Sequence, residues 1–315
     1  MPRVLVTGGA GFIGSHVAEA YLEAGWEVTV LDDLSTGRRE NVPRGARFVK
    51  ADVGSAEARR LLASGDFDVL NHHAAQMDVR VSVSDPLFDA RVNLLGLINL
   101  LEGVREGGVR RVVFASSGGV IYDENAPLPH RETGRKLPVS PYGVSKLGSE
   151  YYLAAYARLY GIEVVALRYA NVYGPRQNPH GEAGVVAIFG ERLRTGRPLT
   201  VFGDGSQTRD YVYVGDVARA NLSATVWAVS DITEVDSFAF NVGTGVETSV
   251  NDLARKMIAV SGVEVSIEYA PARAGELKRS ALDCGKALQL WGWKPEVTLE
   301  EGLGRTYEWI REAAA

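Results

Sequence analysis

The feature that most restricts the fold is an alternation of short apolar segments with longer amphipathic ones. Segments 4–6, 28–31, 47–50, 69–72, 112–115 and 164–168 are rich in Val and Leu and do not alternate with polar residues. Strands of that kind are covered on both faces, as in a parallel sheet buried between helices. Helical patterns at 11–24, 56–64, 88–105 and 145–160 fall between them and are long enough for right-handed crossovers. The expected fold is α/β, a Rossmann-type doubly wound parallel sheet. A chain of 315 residues buries roughly 75% of the surface its unfolded form exposes, enough for such a core without disulfide or metal staples.

Beyond residue 173 the pattern loosens. Gly174-Pro175-Arg176 opens an irregular stretch, a helical pattern covers 185–194, a Gly203-Asp204-Gly205 turn follows, and 211–214 and 238–242 read as strands. This predicts a smaller C-terminal lobe, partly interleaved with the first. Residues 1–172 are expected to form the main domain, to which the chain returns around 211–243, while 173–210 and 244–315 form the lobe.

The first crossover carries Val4-Leu5-Val6-Thr7 and then Gly8-Gly9-Ala10-Gly11-Phe12-Ile13-Gly14. Glycines every third residue, between a buried strand and a helix start, let the backbone pass within contact distance of a pyrophosphate, whose charge the helix N-terminus favours. Gly8, Gly11, Phe12, Ile13 and Gly14 are therefore the expected cradle of a dinucleotide. Asp32 and Asp33, at the end of the second strand, can accept hydrogen bonds from ribose hydroxyls and would repel a 2′-phosphate, which selects NAD over NADP. Arg38 and Arg39 follow as a basic pair in the next loop. Asp52 and Val53 after the third strand flank the adenine, or Asp52 caps the next helix. His72 and His73 close the fourth strand on opposite faces and cannot share a metal, so no metal site is expected. Ala74 and Ala75 leave room for the cofactor.

Tyr142-Gly143-Val144-Ser145-Lys146 places a phenol and an ammonium four residues apart, on one face at a helix start. A phenol with a reference pKa near ~10 is a weak base at neutral pH, but positive charge from Lys146 and an oxidised nicotinamide favours phenolate. Tyr142 can then act as base, Lys146 can hold the nicotinamide ribose, and a serine hydroxyl can align the substrate proton. Ser117, with Ser116 as the alternative, ends the fifth strand and supplies that hydroxyl.

Further motifs are His72-x-Ala74-Ala75, Asn93 before Leu94-Leu95-Gly96, the run from Leu167-Arg168-Tyr169 through Asn171 to Arg176, and Gly203-Asp204-Gly205 leading to Arg209-Asp210-Tyr211. With these the chain resembles the nucleotide-sugar epimerases of the extended short-chain dehydrogenase/reductase family over nearly all its length. The resemblance implies a tightly bound NAD, reduced and reoxidised within one turnover, and inversion at C4 of a UDP-hexose such as UDP-glucose or UDP-galactose through a 4-keto intermediate. It implies Tyr142 as the base, with Lys146, Asn93 and Tyr169 at the cofactor. Asn171 is implied at the substrate, Phe202 at the uracil end, Arg209 and Arg273 at the diphosphate, and Glu276 at the ribose. Arginine suits a diphosphate because its planar fork takes two oxygens at once. A homodimer through 88–105 and 145–160 is implied as well; Tyr151, Tyr152 and Tyr156 on the second of these could equally line an internal core.

The sequence departs from the family pattern at three places. Relatives carry the catalytic hydroxyl one residue closer to the tyrosine that is Tyr122 here; strict counting reaches Gly118, which has no hydroxyl, so Ser117 is assigned. Gly118 and Gly119 stand where related dehydratases and decarboxylases carry an acid for an extra step, which favours simple return of the intermediate. Ser280, seven residues past Arg273, replaces a bulky aromatic and leaves room beside the sugar C2. The alternatives are accordingly a UDP-N-acetylhexosamine or UDP-glucuronate 4-epimerase, or an NAD-dependent short-chain reductase with net redox chemistry, which would not need Asn171, Arg209 and Arg273.

Composition narrows the partners. The 34 Lys and Arg stand against 39 Asp and Glu, a net charge of −5 with no basic run, so nucleic acid is not an expected partner. Cys284 is the only cysteine, which excludes an internal disulfide and fits a reducing compartment. No signal-peptide or membrane-spanning pattern is visible, and a cytoplasmic location without membrane contact is expected.

Overall fold

The Val-rich segments pair as expected. In the computed structural model, which describes residues 1–179, 184–227, 232–273 and 277–313, the first half runs β1 (Arg3–Thr7), α1 (Phe12–Glu23), β2 (Glu27–Asp32), β3 (Arg47–Lys50), α2 (Ala56–Ala63), β4 (Val69–His72), α3 (Val79–Ser84), α4 (Pro86–Ala90), α5 (Gly96–Gly107), β5 (Arg111–Ser117), α6 (Gly118–Ile121), α7 (Pro141–Tyr160) and β6 (Glu163–Tyr169). The remainder runs β7 (Asn171–Tyr173), α8 (Val185–Arg194), β8 (Leu199–Phe202), β9 (Thr208–Tyr213), α9 (Val214–Val226), β10 (Ala239–Val242), β11 (Glu247–Ser249), α10 (Val250–Ser261), β12 (Ile267–Ala270), α11 (Gly285–Trp291) and α12 (Leu299–Glu312).

Seven strands form one parallel sheet in the order β10-β6-β5-β4-β1-β2-β3. The order reverses between β1 and β4, and in open α/β sheets the crevice at such a switch point, beyond the carboxyl ends of the strands, receives the ligand. Alternation along each strand builds two cores. Val4, Val6, Val113 and Leu167 pack with Val17 and Tyr21 of α1 and Val217 and Ala220 of α9. Leu5, Leu70, Phe114 and Ala166 pack with Leu62 of α2, Leu100 of α5 and Leu153 of α7.

Local signals set the helix ends. The Ser55 hydroxyl accepts from the Ala58 amide to cap α2, and Ser140 accepts from Gly143 to cap α7, where Pro141 takes the first position. Ser55, not Asp52, is therefore the cap after β3. The helix predicted over 145–160 begins at Pro141, so Tyr142 lies in its first turn. The helix predicted over 88–105 is broken: α4 passes through a wide π turn, Arg91–Leu95, into α5. The buried Asn93 at its centre bonds back to the loop at Gln76, and such π turns recur beside functional sites.

In the second half, β7, β9 and β11 make one small sheet and β8 and β12 another. The segment predicted as a strand at 211–214 thus belongs to the small sheet, paired parallel with β7, whereas 238–242 returns to the main sheet beside β6. Tyr173, Phe189, Leu199, Leu253, Met257 and Leu303 form a third core among α8, α10 and α12. Among the described residues no helix is long and apolar enough to cross a membrane.

Candidate active site

At the switch point the chain turns at Gly8 with φ +67°, and a Cβ there would lie 2.6 Å from the amide nitrogen of Ala74. Only glycine meets both demands. A side chain at Gly14 would collide with the Gly8 carbonyl. Gly11 caps α1 without a side-chain bond, and no acidic residue occupies the first turn, so the helix N-terminus faces the crevice with its amides available to an anion. Phe12 and Ile13 follow, half-buried. This cradle fits the pyrophosphate of a dinucleotide.

Asp32 is 7% exposed; its Oδ2 accepts from the Ala10 amide at 3.0 Å and its Oδ1 from Leu34 at 2.9 Å. Burial pushes its pKa up, against those two bonds. The carboxylate thus holds the glycine turn at Ala10 and its own loop at Leu34. Asp33 is exposed and accepts from the Ser35 amide and hydroxyl. Asp52 is exposed and accepts from Gly54, while Val53 is buried. Arg38 pairs with Glu40, and the Arg39 guanidinium stacks over Phe48 at 4.5 Å; neither reaches toward a 2′-phosphate by these contacts.

At the end of β4, His72 Nδ1 and Thr7 Oγ1 are 2.7 Å apart, while His73 Nε2 lies 3.0 Å from the Tyr169 hydroxyl, which also accepts from Asn221. Burial first, and then the charge of Lys146, push both histidines down to about 3. They are neutral and lead to opposite partners. Among the described residues no group of three His, Cys, Asp or Glu side chains could hold a metal. Ala74 and Ala75 follow, half-buried. Asn93 accepts from the Gln76 amide and donates to the Gln76 carbonyl and to Asp89 Oδ1. Both of its amide hydrogens are engaged within the protein, tying the π turn to the loop after β4.

The reacting candidates meet where α7 crosses the end of β5. Lys146 is buried and donates to the Ala115 carbonyl at 2.8 Å; its Nζ lies 5.8 Å from the centre of the Tyr142 ring. Burial pulls its pKa down to about 8, and the carboxylates of Asp89 and Glu150 oppose that shift. Ser116 points toward α7, where its hydroxyl donates to Glu150 Oε1 at 2.6 Å. Ser117, the next residue and so on the other side of the strand, is half-buried. The alternative hydroxyl is committed to a buried carboxylate, which leaves Ser117 as the better candidate. A Cβ at Gly118 would lie 2.5 Å from the Leu282 side chain, whereas one at Gly119 would meet nothing within 4 Å.

Of the substrate candidates, Phe202 and the exposed Arg273 come together, the guanidinium 3.9 Å above the ring. Arg209 is half-buried on β9 and donates to its neighbour's carbonyl, that of Thr208. Asn171 is exposed at the start of β7, in register with Tyr211. Ser280 is 3% exposed and presents little surface to a ligand. Glu276 lies outside the described residues.

Two buried carboxylates went unread in the sequence. Asp89 accepts from Gln76, Asn93 and, at 2.5 Å, the Ser145 hydroxyl. Glu150 stands eight residues past Tyr142 on one helical face, a spacing that could have revealed it.

The chain matches the model of the NAD dependent epimerase/dehydratase family over residues 4–243. It is 46% identical to a UDP-glucose 4-epimerase of Mycolicibacterium smegmatis, covering 98% of both chains. It is 45% identical, with a TM-score of 0.94, to the Thermotoga maritima UDP-glucose 4-epimerase solved with UDP-glucose, covering 99% of this chain and all of that one. With the Thermus thermophilus UDP-glucose 4-epimerase solved with NAD it shares 47% identity and a TM-score of 0.90, over 99% of each chain.

Proposed function

The chain belongs to the NAD dependent epimerase/dehydratase family, and from that premise we propose that it interconverts UDP-glucose and UDP-galactose by redox-neutral epimerisation at C4, a step of galactose metabolism, with NAD held tightly throughout. The observation that carries this reading is Tyr142 and Lys146 one turn apart on α7, set against the end of β5, two strands along the sheet from β1 and the glycine cradle that follows it.

Bound in the cradle, NAD supplies an acceptor for the C4 hydride that gives it back in the same turnover. Tyr142 takes the proton of the sugar 4-hydroxyl as C4 is oxidised, leaving a 4-keto sugar, and returns the proton once C4 is reduced on its opposite face. Lys146 places positive charge beside the phenol, which favours the phenolate the step requires. Ser117 aligns the 4-hydroxyl. Residues 173–210 and 244–315 bind the UDP-sugar together with Asn171 of the main domain, which meets the sugar, while Phe202 takes the uracil and Arg209 and Arg273 the diphosphate. An elimination or decarboxylation would need an acid after Ser117. At 118 the Leu282 side chain occupies that space, and Gly119 offers no carboxyl.

Deuterium tests this directly. UDP-galactose labelled at C4 should give UDP-glucose still carrying the label at C4, since the hydride never leaves the site. Stoichiometric accumulation of reduced nicotinamide with a keto product would instead identify a net reductase.

The proposed assembly is a cytoplasmic homodimer. Leu87 of α4 and Leu159 of α7 are 76% and 71% exposed, and Leu95 and Tyr151 are exposed as well, apolar side chains on the outward face of these elements, which a two-fold contact would cover. Tyr156 does not share that face: it packs toward α5, where its hydroxyl donates to Glu102. Light scattering should read twice the 34.0 kDa chain mass.

A further inference from the structure

α7 carries Tyr142, Lys146 and Glu150 at positions i, i+4 and i+8, one face of the helix. The second and third of these both fasten β5. Lys146 donates to the Ala115 carbonyl at 2.8 Å, and Ser116 donates to Glu150 Oε1 at 2.6 Å. Two consecutive residues of the strand are thus tied to the helix immediately before Ser117. The tie is itself anchored. Glu150 is fully buried, and Arg168 of β6, also fully buried, donates to it through Nε at 3.0 Å and Nη2 at 2.6 Å. Arg168 reaches in turn the Tyr122 hydroxyl, the Glu132 carbonyl and Asp236. An arginine–carboxylate pair bonded at two points fixes orientation as well as distance.

We infer that Glu150 is a positioning residue for the reaction: acting through Ser116, it fixes the end of β5 against α7 so that the Ser117 hydroxyl stands in register with Tyr142 and Lys146. Proton transfer needs heavy atoms at ~2.6–3.2 Å, and a strand end free to shift by about 1 Å would lose up to ~10²-fold in rate. Pairing with β6 runs to Ser117 opposite Tyr169 and holds the strand within the sheet; the Lys146 and Ser116–Glu150 bonds add two ties across to α7, and the second stands directly before Ser117. The inference rests on the epimerase reading with Ser117 as the catalytic hydroxyl.

Ser116→Ala in the NAD-loaded protein removes the tie while leaving the Arg168–Glu150 pair whole, so the fold is not at stake. For UDP-galactose its kcat should fall about tenfold, with KM, bound NAD and Tm close to the parent, and Ser116→Thr, which keeps a hydroxyl, should restore kcat to within about twofold. A kcat for Ser116→Ala equal to the parent's overturns the inference, as does a loss that comes with released NAD and a lowered Tm. A loss beyond about a thousandfold in Ser116→Ala, with Ser117→Ala near the parent, would make Ser116 the catalytic hydroxyl and overturn it as well. A parent that retains NAD yet turns over no UDP-hexose refutes the functional reading itself, and the inference with it.

Discussion

The Lys146 ammonium donates to the Ala115 carbonyl at 2.8 Å, which docks the face of α7 bearing Tyr142 onto the strand that ends in Ser117. The contact buries a charge, and burial is the largest influence on that charge.

Lys146 is held down to about 8, so it is protonated below that pH and neutral above it. The charge that favours Tyr142 phenolate is therefore lost as pH rises, and kcat/KM should decline through about pH 8. Asp89→Asn removes one of the carboxylates that raise the Lys146 pKa and should move the declining limb to lower pH. A pH profile of the two proteins reads the shift; coincident limbs would detach Lys146 from the profile.

Tyr142→Phe deletes the proposed base and keeps the ring. The turnover number should fall ~10²–10⁴-fold, the range for loss of a general acid–base group, while NAD still copurifies with the protein. A variant within tenfold of the parent would move the base to another residue.

Gly118→Ala and Gly119→Ala separate packing from chemistry. The first brings a methyl to 2.5 Å from Leu282 and the second meets open space. Gly118→Ala should cost about 1–3 kcal/mol in urea unfolding and Gly119→Ala about 0.5 kcal/mol or less.

Three histidines predict loss of stability in acid. Burial lowers His16 to about 4 and His72 and His73 to about 3, against 6.5 for an exposed imidazole. Each stays neutral in the folded chain while the unfolded chain takes up its proton. Stability is thus present above pH 6.5 and falls as pH drops from there to about 4, by up to ~1.4 kcal/mol per pH unit for each histidine. Urea midpoints between pH 7 and 5 check the slope.

The main sheet was legible because its signals are local. Unbroken Val and Leu runs mark strands covered on both faces, and glycine spacing marks a turn that nothing bulkier fits. The helix over 88–105 was legible in kind but not in shape. Its π turn follows from Asn93 reaching back seventeen residues to Gln76, which no periodicity reports. The choice between Ser116 and Ser117 was undecidable by counting, because it turns on which side of β5 faces Glu150, thirty-four residues away. For Asp52 the sequence leaves the adenine and a helix cap both open; the cap is Ser55, three residues later, which is placed to accept from the Ala58 amide. The second half of the chain carries short strands in two small sheets, where turns rather than hydrophobic period set the path.

A retained NAD and a redox-neutral change at C4 are tested together by the protein as purified, with no cofactor added. UDP-galactose is supplied, UDP-glucose is followed by NMR, and absorbance at the reduced-nicotinamide band is watched alongside. Conversion to an equilibrium mixture with no lasting rise in that absorbance is the expected result. No conversion, even after NAD is added, would contradict it.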